Sequence, residues 1–308
     1  MADQPKKRRR TKKRLLMGEI NIVSQPHSLD TYIEAVETLC KEKVQAPYHG
    51  QRYLEIGNCR SLEDERLPNA ITGRIFVFSK FNFDDPWLNT VRAAEATDED
   101  LKAVNIPGHL VPEFRHFRYI FDVRKHRFYF EKYSELKGHL SAKAFCQALN
   151  KLFQSSELAG KFDEINAFVV ADDDAVNKIL GLNKLRKLFI QIYRPNPDDD
   201  DFESSVLAEL NMQNVGVKEE TFIKAPGVKS IIPNALTKKL AHLAARYGVA
   251  EGWGKDPTTN QPVHVNTETH PKDHTVVYGD GEDSLDKMIA YIKDKNDVEA
   301  EDEDRGDA

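Results

Sequence analysis

Phe114-Arg115-His116-Phe117-Arg118-Tyr119-Ile120-Phe121-Asp122-Val123-Arg124-Lys125-His126-Arg127-Phe128-Tyr129-Phe130-Glu131 reads as two aromatic strands joined by a short charged turn. Phe117, Tyr119, Phe121 and Val123 alternate with Arg118, Ile120 and Asp122. Beyond the turn, His126, Phe128 and Phe130 alternate with Arg127, Tyr129 and Glu131. A period of two sends these sets to opposite faces of a pleated strand, so the stretch predicts a hairpin with two unequal faces. Aromatic side chains suit a half-buried sheet surface and reinforce one another across strands. The hairpin is therefore expected at the centre of a sheet. In that register the turn cations Arg124, Lys125 and Arg127 are expected close to Arg115 and Arg118, making a basic, aromatic surface suited to nucleic acid. The competing reading makes the aromatics core and the cations a solvated edge that discourages strand addition.

Working outward, strands are expected at 18–24, 53–56 and 71–81, with a helix between the first two that Ser28 or Asp30 caps. Ser141 opens a helix carrying Phe145, Leu149, Leu152 and Phe153 on one face. From residue 165 the rhythm becomes strand, helix, strand, helix, which suggests an α/β layer. A strong helix follows at 234–247, then short strands to 277 and a last amphipathic helix at 284–292. The fold class expected is α+β. A mixed, largely antiparallel sheet domain with packing helices (15–157) precedes a smaller α/β domain (158–293), with a disordered basic arm at 1–14 and a disordered acidic tail at 294–308.

The two tails come from charge. Lys6, Lys7, Arg8, Arg9, Arg10, Lys12, Lys13 and Arg14 stand against Asp3 alone, a net of +7, in a chain whose formal net charge is −6. Seven acids against Arg305 give residues 297–308 a net of −6. Runs of one sign resist compaction. The basic arm also has the composition of a phosphate-binding segment, since each cation that neutralises a phosphate releases a counterion. No apolar run approaches the roughly 20 residues needed to cross a bilayer, so no membrane insertion and a cytoplasmic location are expected. Cys40, Cys59 and Cys146 are far apart and form no Cys-x-x-Cys pair, so reduced thiols are expected, with neither a zinc site nor a disulfide framework.

Few chemical motifs stand out. There is no phosphate-cradling glycine loop, nucleophile elbow or His-Glu-x-x-His. The four aspartates 198–201 follow Arg194-Pro195-Asn196-Pro197 and precede a helix, where capping explains them better than a cation does. The rigid proline pair can hold Arg194 and Asn196 in a fixed pose for a neighbouring domain. His126 with Asp122 or Glu131, or His264, His270 and His274 together, are the candidates for a metal-dependent nuclease.

Ile20-Asn21-Ile22, Thr72-Gly73-Arg74-Ile75-Phe76, Trp87-Leu88-Asn89, His126-Arg127-Phe128-Tyr129-Phe130-Glu131, Arg194-Pro195-Asn196-Pro197-Asp198-Asp199 and Ala245-Arg246-Tyr247-Gly248-Val249, in that order, resemble a bacterial domain-of-unknown-function family over most of residues 18–278. That resemblance carries no activity with it. More distantly, the layout is similar to phage-exclusion proteins of the Rex-A and Kwa-B type, cytoplasmic DNA-binding sensors that work beside a membrane protein. The expected function is sequence-tolerant nucleic-acid binding in antiphage defence. Lys6, Lys7, Arg8, Arg9, Arg10, Lys12, Lys13, Arg14, Arg115, Arg118, Arg124, Lys125 and Arg127 are expected to contact phosphates of DNA or RNA. A partner defence protein and a homodimer belong to the same expectation. No catalytic residue, cofactor or metal is assigned. The alternatives are the nuclease and a protein-sensing module without nucleic acid.

Overall fold

Strand β1 (Lys12–Gln25) is the spine of the molecule, because its 14 residues give strand partners to three other strands. The computed structural model describes residues 12–82, 84–162, 164–196, 201–279 and 281–306. After β1 come α1 (Leu29–Lys41), β2 (Gln45–His49), β3 (Arg52–Ser61), β4 (Ile71–Ser79), β5 (Leu88–Asn89), β6 (Ala94–Glu95), α2 (Asp98–Lys102), β7 (Arg115–Asp122), β8 (Arg127–Glu131), β9 (Tyr133–Ser134), β10 (Gly138–His139) and α3 (Ala142–Phe153). The remainder is β11 (Glu164–Val169), α4 (Asp173–Leu180), β12 (Asn183–Tyr193), α5 (Asp201–Met212), β13 (Val217–Ile223), α6 (Ala235–Tyr247), β14 (Gly248–Lys255), β15 (Pro262–Asn266), a 3-10 turn at Thr267–Thr269, β16 (Asp273–Gly279) and α7 (Ser284–Gly306).

The large sheet runs β11-β1-β8-β7-β4-β3-β2, and β16 adds to the free half of β1. The second sheet runs β13-β12-β14-β15. All these pairings are antiparallel, and the α+β class holds. The hairpin forms with Asp122 opposite Arg127 and Tyr119 opposite Phe130, and it lies mid-sheet. His126, at φ 56, closes its turn in the left-handed region. All five residues of β8 are buried, as a strand covered on both faces requires.

Each face has its own cover. Phe117, Tyr119, Phe121, Phe128 and Phe130 join Tyr32 and Leu39 of α1 and Phe145 and Leu149 of α3 in the largest core. Ser28 caps α1 by accepting a hydrogen bond from the Thr31 N–H, as its residue type predicts. Gly18 lies opposite Phe130, whose ring folds over it, and a Cβ there would collide with the ring. On the other face Ile120 and Tyr129 pack with Met17 of β1 and with Met288, Ile289 and Ile292 of α7. α4 and α6 cover the second sheet in a third core.

Four expectations need correction. Lys12, Lys13 and Arg14, placed in the arm, are exposed but belong to β1, where they pair with Gly279, Tyr278 and Val277 of β16. Backbone pairing holds them extended against their mutual repulsion. Residues 294–306, placed in the acidic tail, continue α7. The Lys293–Asp297 and Lys295–Glu299 pairs at i,i+4 offset part of the like-charge repulsion there. Cys40 and Cys59 are joined as a disulfide with Cα atoms 6.1 Å apart, because α1 lies across β3; only Cys146 has a free thiol, pushed up to about 12 by burial. Moreover β11, β16 and α7, all beyond residue 158, belong to the first sheet and its cover rather than to the second sheet.

Asn196 locks the two sheets together, as the proline-flanked pose suggests. It is fully buried, accepts the Tyr32 hydroxyl at 2.9 Å and donates to the Ile22 carbonyl at 3.0 Å. Arg194 donates to the Val215 carbonyl. Asn196→Ala leaves the Ile22 carbonyl short of a donor and is expected to cost about 1–3 kcal/mol in urea denaturation. Combining it with Tyr32→Phe is expected to cost less than the two single effects together, since both remove the same bond.

Candidate functional site

The face of the large sheet beneath α7 is where the sequence places charge within strands. Glu19, Asp122, Arg127 and Glu131 all fall on it and are all buried. Glu19 is 1% exposed, accepts from His274 Nε2 at 2.7 Å and Lys295 Nζ at 3.2 Å, and has Arg127 Nε at 3.7 Å. Burial alone would raise this carboxyl, but the His274 hydrogen bond and the charges of Lys295 and Arg127 outweigh it and hold the group far below the usual carboxylate range. Tyr129 accepts a second bond from Lys295, and the Tyr291 hydroxyl lies 2.8 Å from His274 Nδ1. Asn296 of α7 donates to Asp122.

Over this network opens a cleft of about 490 Å³ between the two sheets. Lys125 from the hairpin turn, Arg127 from β8, Arg246 from α6, Lys272 before β16 and Lys295 from α7 line it, with Glu19, Asp173 and Glu299 opposing them. Five cations from four chain segments thus face one opening in an acidic protein. Glu19 is spent inside the network. The outer pairs, Lys272–Asp173 at 3.3 Å and Lys295–Glu299 at 2.9 Å, have carboxylates 81% and 40% exposed, and such pairs contribute only about 0–1 kcal/mol. Arg246 is held by buried Glu203, which also accepts the Tyr247 hydroxyl. A diffuse anion can compete with Asp173 for Lys272 and with Glu299 for Lys295 without breaking the Lys295 bonds to Glu19 and Tyr129.

The residues expected to contact phosphate are divided by the fold. Lys6, Lys7, Arg8, Arg9 and Arg10 lie outside the described residues, as do Pro197 and Asp198 to Asp200 of the aspartate run. Lys125 and Arg127 line the cleft, and Arg124 is exposed beside it. Arg115 and Arg118 do not join them. Four residues of strand separate Arg118 from Asp122, where the turn begins and opposite which Arg127 lies, roughly 13 Å at the strand rise, so the hairpin places its cations at opposite ends. Arg118 pairs instead with Asp283 at 2.9 Å, and Arg115 is half-buried against Gly138.

Neither proposed histidine constellation assembles. His126 packs against Tyr32 and His27, on the opposite sheet face from Asp122 and Glu131, because the strand period is two. His264 stacks on Trp253 and bonds Glu251, His270 contacts Asn266, and His274 sits with Glu19. Among the described residues no group of three or more His, Cys, Asp or Glu side chains is placed to hold a metal ion, and no helix is long and apolar enough to cross a membrane.

Arg246, Lys272 and Lys295 escaped the sequence reading. The first two stand singly between apolar or loop residues, and Lys295 sits inside the charge run read as a tail. Continuation of the Met288, Ile289, Ile292 spacing to Asn296 and Glu299 is the signal that would have extended the helix. Comparison with curated proteins produced no match. The sequence model described as a domain of unknown function, DUF4747, matches residues 13–294, from β1 into α7, and the chain belongs to that family.

Proposed function

We propose that the protein binds nucleic acid through the phosphate backbone, with the cleft between the sheets as the contact surface. The observation supporting this is the convergence of Lys125, Arg127, Arg246, Lys272 and Lys295 on one opening of a chain with net charge −6. A concave surface walled by protein focuses the field of such a cluster and draws polyanions to it. Arg124 and the arm Lys6 to Arg10 extend the contact, and no base-reading element is invoked, so binding is sequence-tolerant. The role in antiphage defence and the protein partner rest on the distant likeness to phage-exclusion proteins alone.

The test is fluorescence anisotropy with labelled duplex DNA, single-stranded DNA and RNA across a salt series. The expected affinity falls steeply with salt. Lys125→Gln with Lys272→Gln is expected to weaken binding about tenfold at 0.1 M salt and to lower the log–log salt slope by about 2. Replacing Lys6 to Arg10 by Gln lowers the slope further but leaves the cleft contribution. Salt-independent binding, or affinity indifferent to the cleft substitutions, rejects the reading. Complete absence of binding transfers support to protein sensing.

A further inference from the structure

At the other end of α7, strands β3 and β4 with β7 carry Arg60, Arg74 and Arg118 around a second cleft of about 460 Å³. It shares no lining residue with the first. Arg74 and Arg118 are direct cross-strand partners. Like charges facing each other this way destabilise a sheet, so the arrangement calls for an opposing charge. Among the described residues the guanidinium groups of Arg60 and Arg74 make no hydrogen bond or ion pair, whereas that of Arg118 is paired with Asp283 and lies 4.0 Å from Glu131. Arg74 is half-buried, and burial, then the neighbouring Arg118 and Arg60, depress its guanidinium below its usual value, with Glu131 and Glu135 only partly offsetting them. Asp283 is the one carboxylate lining the cleft, and it serves two tasks. It accepts from Arg118 Nη1 at 2.9 Å and from the Leu285 N–H at 3.1 Å as the cap of α7.

We propose that Arg60, Arg74 and Arg118 bind the phosphate group of a phosphate monoester, which displaces Asp283 from Arg118. A monoester carries close to two negative charges at neutral pH and three acceptor oxygens, one for each guanidinium. Arginine forks match tetrahedral oxyanions better than lysine does. The cleft exceeds a bare phosphate, and Leu285 supplies an apolar wall for the esterified group. The ligand is either a free mononucleotide or the 5′-phosphate end of a strand. This site stands apart from the nucleic-acid reading of the first cleft.

The experiment is isothermal titration calorimetry of the full-length protein with inorganic phosphate, adenosine 5′-monophosphate, and a tetranucleotide with or without a 5′-phosphate. One phosphate per chain is expected at low salt. Arg74→Gln and, separately, the exposed Arg60→Gln are each expected to weaken it about tenfold, while Lys125→Gln with Lys272→Gln changes it less than about twofold. Asp283→Asn keeps the helix cap and removes the competing charge, so phosphate is expected to bind about threefold tighter. Arg74→Gln is further expected to melt no lower than wild type without ligand yet to lose the phosphate-induced rise in Tm, the reverse of what a structural arginine does. Preference for the phosphorylated strand over both the mononucleotide and the 5′-hydroxyl strand identifies a strand end. Equal affinity for strand and mononucleotide identifies the free nucleotide, and either upholds the site. No phosphate binding, or binding unchanged in both arginine variants, overturns it.

Discussion

Glu19→Gln unfolds about 3–5 kcal/mol more easily than the wild type, because it removes the buried negative charge that Arg127 and Lys295 share without removing either cation. The exchange is nearly isosteric, so packing is not the cause. The loss includes the hold on α7, whose Lys295 reaches down to both Glu19 and Tyr129. Urea denaturation at pH 7 gives the magnitude, and hydrogen exchange places the earliest opening in α7. The pH dependence supplies a second check. The folded carboxyl titrates far below its unfolded value of 4.5, so its contribution is full above that pH and is lost as pH falls toward the folded value. Wild-type stability is therefore expected to decline below about pH 4.5, and Glu19→Gln to show a shallower decline over the same window. A variant as stable as the wild type at pH 7, with the same acid slope, rules the network out as a stabilising element.

Phe128→Ala is the second large effect. Phe128 sits in β8, the innermost stretch of the large sheet, stacked on Tyr119 at 4.5 Å between ring centroids and touching Phe121 and Phe145 at 5.8 and 5.5 Å. Truncation removes a ring that α3 and two strands enclose, and the surrounding sheet cannot collapse into the gap, so about 3–5 kcal/mol is expected. Phe81→Ala, on a side chain 42% exposed, is the control and is expected within about 0.5 kcal/mol of wild type. Chemical denaturation of the pair separates core burial from mere aromatic content. Equal stabilities for the two variants contradict the placement of the hairpin at the centre of the sheet.

The hairpin and the helices were legible because their signals are local. Alternation over 117–131 assigned each side chain to the face it occupies, Ser28 marked the start of α1, and the apolar face of α3 was readable from Phe145 to Phe153. The candidate site was legible only in part. Lys125 and Arg127 could be picked out as turn cations, yet the same reasoning grouped them with Arg115 and Arg118, which the length of β7 carries to the far end of the sheet. Residues 294–306 read as a solvated tail because the apolar stripe of α7 ends at Ile292, and beyond it the helix carries ion pairs and the Asn296 bond to Asp122.

Sequence by itself determined which residues face together within an element, since a strand repeats every two residues and a helix every 3.6 whatever lies around them. Only the tertiary structure decided which elements meet. Met17 pairs with His274 across more than two hundred and fifty residues, and that single register brings His274 onto Glu19, while the docking of α7 brings Lys295 there. Cys59 finds Cys40, and Lys125 finds Arg246 and Lys272, by the same kind of packing. Such meetings are chosen by the burial of whole faces and the closure of long loops, and no short window of residues encodes either.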